Sequence, residues 1–93
     1  MANEADPTPR VEVSSWSRTE RWVQQTWMTI LQIQISSKSQ DFMALGGESV
    51  AAIRFMARAY EDCGVRVPLR ALLVDGATIE SMAEYLDSAG AQQ

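Results

Sequence analysis

One serine stands where a hydroxyl group could do chemistry: Ser49 follows the run Gly46-Gly47-Glu48 and opens a predicted helix. A structural explanation is an N-cap, in which the hydroxyl accepts a hydrogen bond from a nearby backbone N–H and stabilises the helix by ~1 kcal/mol. A functional explanation is display for modification, because the positive end of a helix and its unpaired N–H groups favour a phosphodiester there. A serine after two glycines is a weak motif, so these residues alone leave both explanations open.

The chain has no histidine and a single cysteine, and these two facts exclude several kinds of site. Without histidine, neither a Ser-His-Asp nor a Cys-His nucleophilic site is possible within the chain, so an external enzyme would have to deprotonate Ser49. One cysteine allows neither an intrachain disulfide nor a Cys/His zinc site. We expect no catalytic residues and no metal site, and we expect Cys63 to be a small buried hydrophobic residue near a helix end.

Length and charge narrow the class of protein further. The 93 residues suffice for one small domain, and 46% of them are hydrophobic, which is enough for a single core. The net charge of −4, without a cluster of Lys and Arg, argues against nucleic-acid binding. No aliphatic run approaches the ~20 residues that cross a bilayer, and a single cysteine suits a reducing compartment. We expect a cytoplasmic monomer that binds neither nucleic acid nor a membrane.

The first helix is predicted over residues 18–33. Ser17 is a suitable N-cap, because Glu20 follows it at the spacing of a capping box. The apolar residues that repeat along one face are Val23, Trp27, Ile30 and Leu31. Residues 1–17 lack helical periodicity and are predicted to form a flexible linker or tail, with Trp16 folded back on the domain.

A stretch without helical periodicity, Gln34–Glu48, precedes the second helix. Loops of this length are uncommon in compact domains unless they are functional or disordered. Asp41 is placed to cap a short turn in it. The hydrophobic residues expected to hold the loop against the helices are Phe42, Met43 and Leu45.

The second helix is predicted from Ser49 to Asp62 or Cys63, with Gly64 at its C-terminal end. Its polar stripe is narrow, so its apolar face is roughly twice as wide as the ~100° of an ordinary surface helix. Such a helix either packs between two other helices or leaves part of its apolar face for a partner, and both can hold.

A short third helix is predicted after Pro68, and a fourth helix is predicted with Thr78 as its cap. The apolar residues of the short helix are Leu69, Leu72 and Leu73, and those of the last are Ile79, Met82, Ala83 and Leu86. No strand pattern is long enough to pair. The predicted fold is all-α, a small four-helix bundle with a long loop between helices 1 and 2. The domain is expected to span residues 18–88, with a C-terminal tail at 89–93.

The run DFMALGGESV at residues 41–50 resembles the attachment site of the carrier-protein family, and within it the peptidyl carrier (thiolation) domains of nonribosomal peptide synthetases. Segments on both sides are similar to that family as well, among them Trp27 with the residues after it and Thr78-Ile79. The resemblance covers about residues 20–87. Glu48 departs from the family pattern, which usually has His or Asp at that position.

The resemblance implies a function for Ser49. In that family the corresponding serine carries a 4′-phosphopantetheine arm, which a phosphopantetheinyl transferase installs from coenzyme A; here Gly46, Gly47 and Glu48 precede it. The thiol of the arm holds aminoacyl, peptidyl or acyl groups as thioesters. The domain itself is non-catalytic and shuttles these intermediates between adenylation, condensation, thioesterase or tailoring domains.

A surface around Ser49 is expected to face these partners. The residues predicted to dock are Leu45, Val50, Arg54, Leu72 and Leu73. For Leu72 and Leu73, burial in the core is an equal alternative for each residue taken singly. Arg54 and Arg58 occupy a helix on which fatty-acid carriers have an acidic run, and this favours peptide or polyketide assembly lines.

Two other functions fit parts of the sequence. One is a polyketide-type acyl carrier domain. The other belongs to a different class: an unmodified helical docking or adaptor module, for which the wide apolar face of the second helix is suited. Binding of a partner that needs Val50, Phe55 or Leu72 but survives Ser49→Ala would favour the adaptor.

Overall fold

The computed structural model describes residues 15–73 and 76–91, and the described part of the chain is helical. The helices are α1 (Arg18–Leu31), α2 (Ser49–Cys63) and α3 (Ile79–Ala91), with a 3₁₀ turn at Leu69–Ala71 between α2 and α3. Within these residues the extended pairing is limited to an isolated bridge between Asp41 and Thr78. The predicted all-α class is confirmed, and the short third helix is a turn of 3 residues.

Helix α1 begins with the predicted capping box. The Ser17 hydroxyl accepts a hydrogen bond from Glu20 N at 3.0 Å, and Ser17 N donates to Glu20 Oε1 at 2.8 Å. The helix ends before the predicted Ile33, because Gln32 adopts a left-handed conformation with φ 58° and its backbone N–H donates a hydrogen bond to Met28 O. Val23 and Trp27 are fully buried on its inner face.

The core lies where α1 packs against α2 and α3, and aromatic rings fill its centre. The ring centroid of Trp27 lies 4.9 Å from that of Phe42 and 6.1 Å from that of Phe55. Trp16 is 7% exposed and joins this core, as expected from its size. The packed domain therefore begins before the predicted boundary at residue 18. The rest of the predicted tail, residues 1–14, lies outside the described residues.

Helix α2 buries one face and leaves another uncovered by the described residues. Ala52, Phe55 and Ala59 are fully buried, and Gly64 closes the helix in the left-handed conformation with φ 71°. On the other side, Val50, Ile53 and Tyr60 are 59%, 54% and 52% exposed. Part of the wide apolar face predicted for this helix is therefore left uncovered by residues 15–73 and 76–91.

Helix α3 starts as predicted but continues further. Ser81 N donates to the Thr78 hydroxyl at 3.1 Å, and Thr78 N donates to the Ser81 hydroxyl at 2.9 Å, which caps the helix. The helix reaches Ala91, three residues beyond the predicted end of the domain at residue 88. Ala89 is a strong helix former, and the ~1 kcal/mol penalty of Gly90 does not end the helix.

Cys63 does not behave as predicted. It is exposed at the end of α2 rather than buried, because the helix leaves the core before its last turn. Partial desolvation raises the pKa of its thiol, and the nearby carboxylates of Asp62 and Asp87 raise it further. Among the described residues, none of the helices has the length and apolar character needed to span a bilayer.

Candidate functional site

Ser49 is the first residue of α2, and it is exposed. The N-cap is Glu48, whose backbone is extended at φ −143° and whose carbonyl accepts the first helical hydrogen bond, from Ala52 N at 2.8 Å. The structural explanation of Ser49 as an N-cap is therefore wrong by one residue. Its hydroxyl forms no hydrogen bond within the described part of the chain, so it is available for reaction with an external enzyme.

Residues 41–48, the serine loop, hold Ser49 in this position through a tight backbone arrangement around Phe42. The Phe42 carbonyl accepts hydrogen bonds from Gly47 N at 2.9 Å and from Leu45 N at 3.2 Å, and the Phe42 side chain is fully buried. Because the loop closes on an anchored residue, the chain that leads into Ser49 is fixed relative to the core.

Each glycine of the serine loop has its own structural reason. Gly46 has φ +100°, which an L side chain rarely adopts. At Gly47 a Cβ would collide with the ring of Phe42 and would lie 2.7 Å from the Phe42 carbonyl oxygen. Gly46 therefore permits the turn of the backbone, and Gly47 permits the close approach of the backbone to the Phe42 ring.

Asp41 ties the serine loop to the start of α3. Its Oδ1 accepts hydrogen bonds from Gly76 N at 2.9 Å and Ala77 N at 3.0 Å, and its Oδ2 accepts one from Ala44 N at 3.3 Å. Phe42 N adds a backbone hydrogen bond to Ala77 O at 2.8 Å. The sequence predicted the turn that Asp41 caps, but no local pattern indicated partners more than thirty residues away.

The charges around Ser49 are few. No acidic side chain lies in the first turn of α2, so the positive helix end is not neutralised from within the helix. Glu48 and Arg54 are exposed, and neither forms an ion pair with another described residue; by contrast, Arg58 pairs with Asp62 at 3.3 Å. No group of acidic, histidine or cysteine side chains suited to a metal ion occurs in the described ranges.

The predicted docking residues differ in how far they are exposed to solvent. Val50 and Arg54 are exposed, and Leu45 and Leu73 are partly buried against the core. Leu72 is 0% exposed, so it cannot present apolar surface to a partner, and it leaves the predicted set. Its position follows from the 3₁₀ turn, which directs Leu72 inward while Leu69 stays outside.

Sequence reasoning missed two exposed hydrophobic residues of α2. Ile53 and Tyr60 lie on the same helical face as Val50, at spacings of three and ten residues, and Tyr60 also stacks under the Arg66 guanidinium at 4.9 Å. The apolar spacing was visible in the sequence. What it lacked was a way to tell which part of an almost wholly apolar helix the core would cover.

A negatively charged group on Ser49 fits this geometry. The hydroxyl is exposed beside the positive helix end, and the two glycines add no side chain near it. Arg54, five residues further along α2, is exposed and pairs with no described carboxylate. Glu48 is the single residue of like charge adjacent to Ser49 in the chain. No described side chain is hydrogen-bonded to the Ser49 hydroxyl, so the geometry shows an exposed acceptor for modification.

Comparisons with known proteins agree with this geometry. Residues 21–86 match the family model described as phosphopantetheine attachment site. Over 83 residues the chain is 32% identical to a linear gramicidin synthase protein of Brevibacillus parabrevis, and the match covers 89% of this chain and 2% of that protein. It is 28% identical over 71 residues to gramicidin S synthase 2 of Brevibacillus brevis, covering 76% of this chain and 2% of that protein. The chain thus spans about one fiftieth of the length of these relatives.

A solved structure shares the fold. One chain of a complex of the phosphopantetheine transferase Sfp with coenzyme A and a peptidyl carrier protein superposes with a TM-score of 0.72. The match covers 77% of this chain and 92% of that chain, at 22% sequence identity. At that identity the likeness establishes the arrangement of the helices.

Proposed function

Because the chain belongs to the family of phosphopantetheine attachment-site domains, we propose that Ser49 is the residue that carries 4′-phosphopantetheine. The domain then acts as a peptidyl carrier in nonribosomal peptide synthesis, holding aminoacyl, peptidyl or acyl intermediates as thioesters. The observation that carries this proposal is the exposed hydroxyl of Ser49 at the positive end of α2, which has no hydrogen-bond partner among the described residues. The relatives that act in peptide synthesis favour this function over the polyketide alternative.

Ser49 is the nucleophile of the attachment reaction and takes its activation from outside. Its Oγ attacks the phosphorus of coenzyme A that bears the pantetheine, a new P–O bond forms, and the bond to the adenosine bisphosphate breaks. The hydroxyl proton goes to a base of the phosphopantetheinyl transferase, since this chain has no histidine. Once attached, the arm supplies a thiol, with an ordinary pKa of ~8.5, for thioester formation.

The surrounding residues orient the serine rather than react. Phe42 and Asp41 hold the serine loop on the core, and Gly46 and Gly47 keep the approach to Ser49 free of side chains. The first N–H groups of α2 stabilise the phosphodiester once it is in place. The domain is a substrate of the transferase and performs no catalysis of its own.

Several finer features belong to the same proposal. The partners are the transferase and the adenylation, condensation, thioesterase or tailoring domains, and Leu45, Val50, Arg54 and Leu73 dock them. The 3₁₀ turn takes the place of the short third helix in a four-helix arrangement after the long loop. The domain works as a monomer in the cytoplasm, where a chain with one cysteine is kept reduced.

The proposal is tested by incubating the protein with coenzyme A and a promiscuous phosphopantetheinyl transferase, followed by intact mass measurement. The wild type is expected to gain the mass of one phosphopantetheine group, and Ser49→Ala is expected to gain none. Ser88→Ala is a matched control, because it removes another exposed helical serine whose hydroxyl forms no hydrogen bond with a described residue. No gain on the wild type, or an equal gain on Ser49→Ala, contradicts the proposal.

The exposed face of α2 favours a second candidate, the unmodified docking module. Val50, Ile53 and Tyr60 offer apolar surface that needs no prosthetic group to bind a partner. A partner that binds the unmodified protein and Ser49→Ala with equal affinity, and that loses affinity with Ile53→Asp, would support this candidate.

A further inference from the structure

Trp16 precedes the first helix, yet its side chain is part of the core. It is 7% exposed and belongs to the same buried cluster as Val23 and Trp27. The residue also lies outside residues 21–86, the segment that the family model matches. Its packing is therefore a feature of this chain that membership of the family does not account for. We refer to residues 15–17, which lead into α1, as the strap.

Arg21 and Lys38 hold the strap against the rest of the domain. The Arg21 guanidinium donates a hydrogen bond through Nη1 to the Trp16 carbonyl at 3.0 Å. Lys38 Nζ lies 5.9 Å from the centroid of a Trp16 ring, which is within the distance of a cation–π contact. Lys38 belongs to the long loop between α1 and α2, so the strap contacts the loop that leads to Ser49.

The part of the long loop around Lys38, residues 36–40, has no hydrophobic anchor of its own. It consists of three serines, a lysine and a glutamine, and each of them is exposed or half-buried. Ile35 before it and Phe42 after it are buried. A segment with so few buried contacts opens readily unless polar contacts hold it. Its position therefore depends on what Lys38 contacts.

Lys38 joins three elements at one residue. Its Nζ faces the Trp16 ring and pairs with Glu20 Oε1 at 3.1 Å. Its carbonyl accepts a hydrogen bond from Glu80 N at 3.2 Å, in the first turn of α3. Asp41, three residues further along the loop, accepts hydrogen bonds from backbone N–H groups just before α3. The strap, α1 and α3 thus meet at Lys38, three residues before the serine loop begins.

Resting on the proposed function, we propose that the strap controls how firmly the long loop presents Ser49 to the transferase. When Trp16 is docked, its ring and Glu20 together hold Lys38. When Trp16 is released, residues 36–40 open locally, and the serine loop loses the support next to it. Because the strap is continuous with the chain before it, a displacement of that chain reaches the serine through this one contact.

Hydrogen–deuterium exchange of the full chain at single amides tests the strap. The Glu80 amide is the reporter, because its acceptor is the Lys38 carbonyl, and the Ala59 amide inside α2 is the reference. Trp16→Ala is expected to speed exchange at Glu80 about tenfold more than at Ala59, as a local opening does. The matched control is Trp22→Ala, because that indole packs against α2 instead. It is expected to speed exchange at Ala59 at least as much as at Glu80.

Lys38→Gln tests the link without truncating the core. It removes the cation from the Trp16 ring and from Glu20, and it is expected to raise the same ratio of exchange rates. In the double variant Trp16→Ala/Lys38→Gln, the two effects should not add, because both substitutions act through one contact.

The control of Ser49 is measured on the same variants, as kcat/KM for modification by a promiscuous phosphopantetheinyl transferase with coenzyme A. We expect Trp16→Ala and Lys38→Gln to lower kcat/KM about two- to tenfold, the size of coupling through an intervening segment. Trp22→Ala should change it less. Trp16→Phe, which keeps an aromatic ring beside Lys38, should recover most of the wild-type value.

The outcomes separate the strap from the function on which it rests. Equal speeding at both amides in Trp16→Ala would show that the indole supports the whole core alike, and additive effects in the double variant would exclude the link through Lys38; either result overturns the strap. Fast local exchange with a wild-type rate of modification overturns the control of Ser49. Absence of any mass gain on the wild type removes the proposed function and that control together, while the exchange rates still decide whether the strap holds the loop.

Discussion

Replacing Gly47 by alanine would disturb the point at which the serine loop rests on the core. A Cβ there would collide with ring carbons of Phe42 and lie 2.7 Å from the Phe42 carbonyl oxygen. The ring has no room to retreat, because Phe42 is fully buried and its centroid lies 4.9 Å from that of Trp27. The loop must therefore move outward, which stretches the 2.9 Å hydrogen bond from Gly47 N to Phe42 O.

The size of the effect follows from these contacts. Overpacking of this kind costs ~1–3 kcal/mol, and a weakened backbone hydrogen bond adds up to roughly 1 kcal/mol. We expect Gly47→Ala to lower the free energy of unfolding by about 2–3 kcal/mol, and hence Tm by roughly 10–20 °C for a domain of this size. Thermal unfolding of the unmodified protein followed by circular dichroism measures the change. The rate of modification at Ser49 should fall as well, since the serine moves with the loop.

Gly90→Ala is the matched control for this prediction. A Cβ at Gly90 meets no heavy atom within 4 Å, and the residue lies inside α3, where alanine is favoured over glycine by ~1 kcal/mol. Its Tm should therefore stay level or rise. If Gly47→Ala unfolds at the wild-type temperature, or if the two variants shift Tm alike, the packing argument for the serine loop is refuted.

Three further predictions concern other parts of the structure. Asp41→Ala removes the acceptor of three backbone N–H groups, so it should lower the free energy of unfolding by about 1–3 kcal/mol and speed amide hydrogen exchange at Ala77. An exchange rate at the Ala77 amide equal to that of the wild type would contradict this prediction. The hydrogen bond from Ser17 N, aided by Lys38, lowers the pKa of Glu20 below its ordinary 4.5, so the Glu20 carboxylate stabilises the fold above pH 4.5 and loses this effect as pH falls through the lower pKa of the folded state. The urea midpoint should therefore fall less steeply from neutral to acidic pH for Glu20→Gln than for the wild type, and equal slopes would count against this role of Glu20. Leu72→Ala truncates a core side chain and should lower the free energy of unfolding by ~2–5 kcal/mol, whereas Val50→Ala should change it by less than about 0.5 kcal/mol. Urea denaturation that gives the opposite order would show that the burial of these two residues is misassigned.

Features set by neighbouring residues were predictable from the sequence. The capping box of Ser17 and Glu20, the closing role of Gly64 and the cap at Thr78 each depend on residues a few positions apart, and the structure contains all of them. The buried face of α1 was also predictable, because helical spacing places Val23 and Trp27 on the same side of the helix.

Features set by distant or nearly equivalent residues were not predictable. Asp41 reaches Gly76 and Ala77 across the fold, which no local pattern indicates. Three leucines follow Pro68 within five residues, and the hydrophobic pattern did not tell which of them faces the core, so docking and burial stayed equal alternatives for Leu72. The sequence predicted that α2 begins at Ser49, but it did not show that the N-cap is Glu48, which enters the helix with an extended backbone and no side-chain cap.

The central claim, that the Ser49 hydroxyl is the attachment point, is tested most directly by peptide mapping of the modified protein. Trypsin cleavage after Lys38 and Arg54 releases residues 39–54, a peptide with two serines, Ser39 and Ser49. Fragment-ion spectra should assign the whole phosphopantetheine mass to Ser49, with Ser39 unmodified. Assignment of that mass to Ser39, or to any peptide that lacks Ser49, would contradict the account.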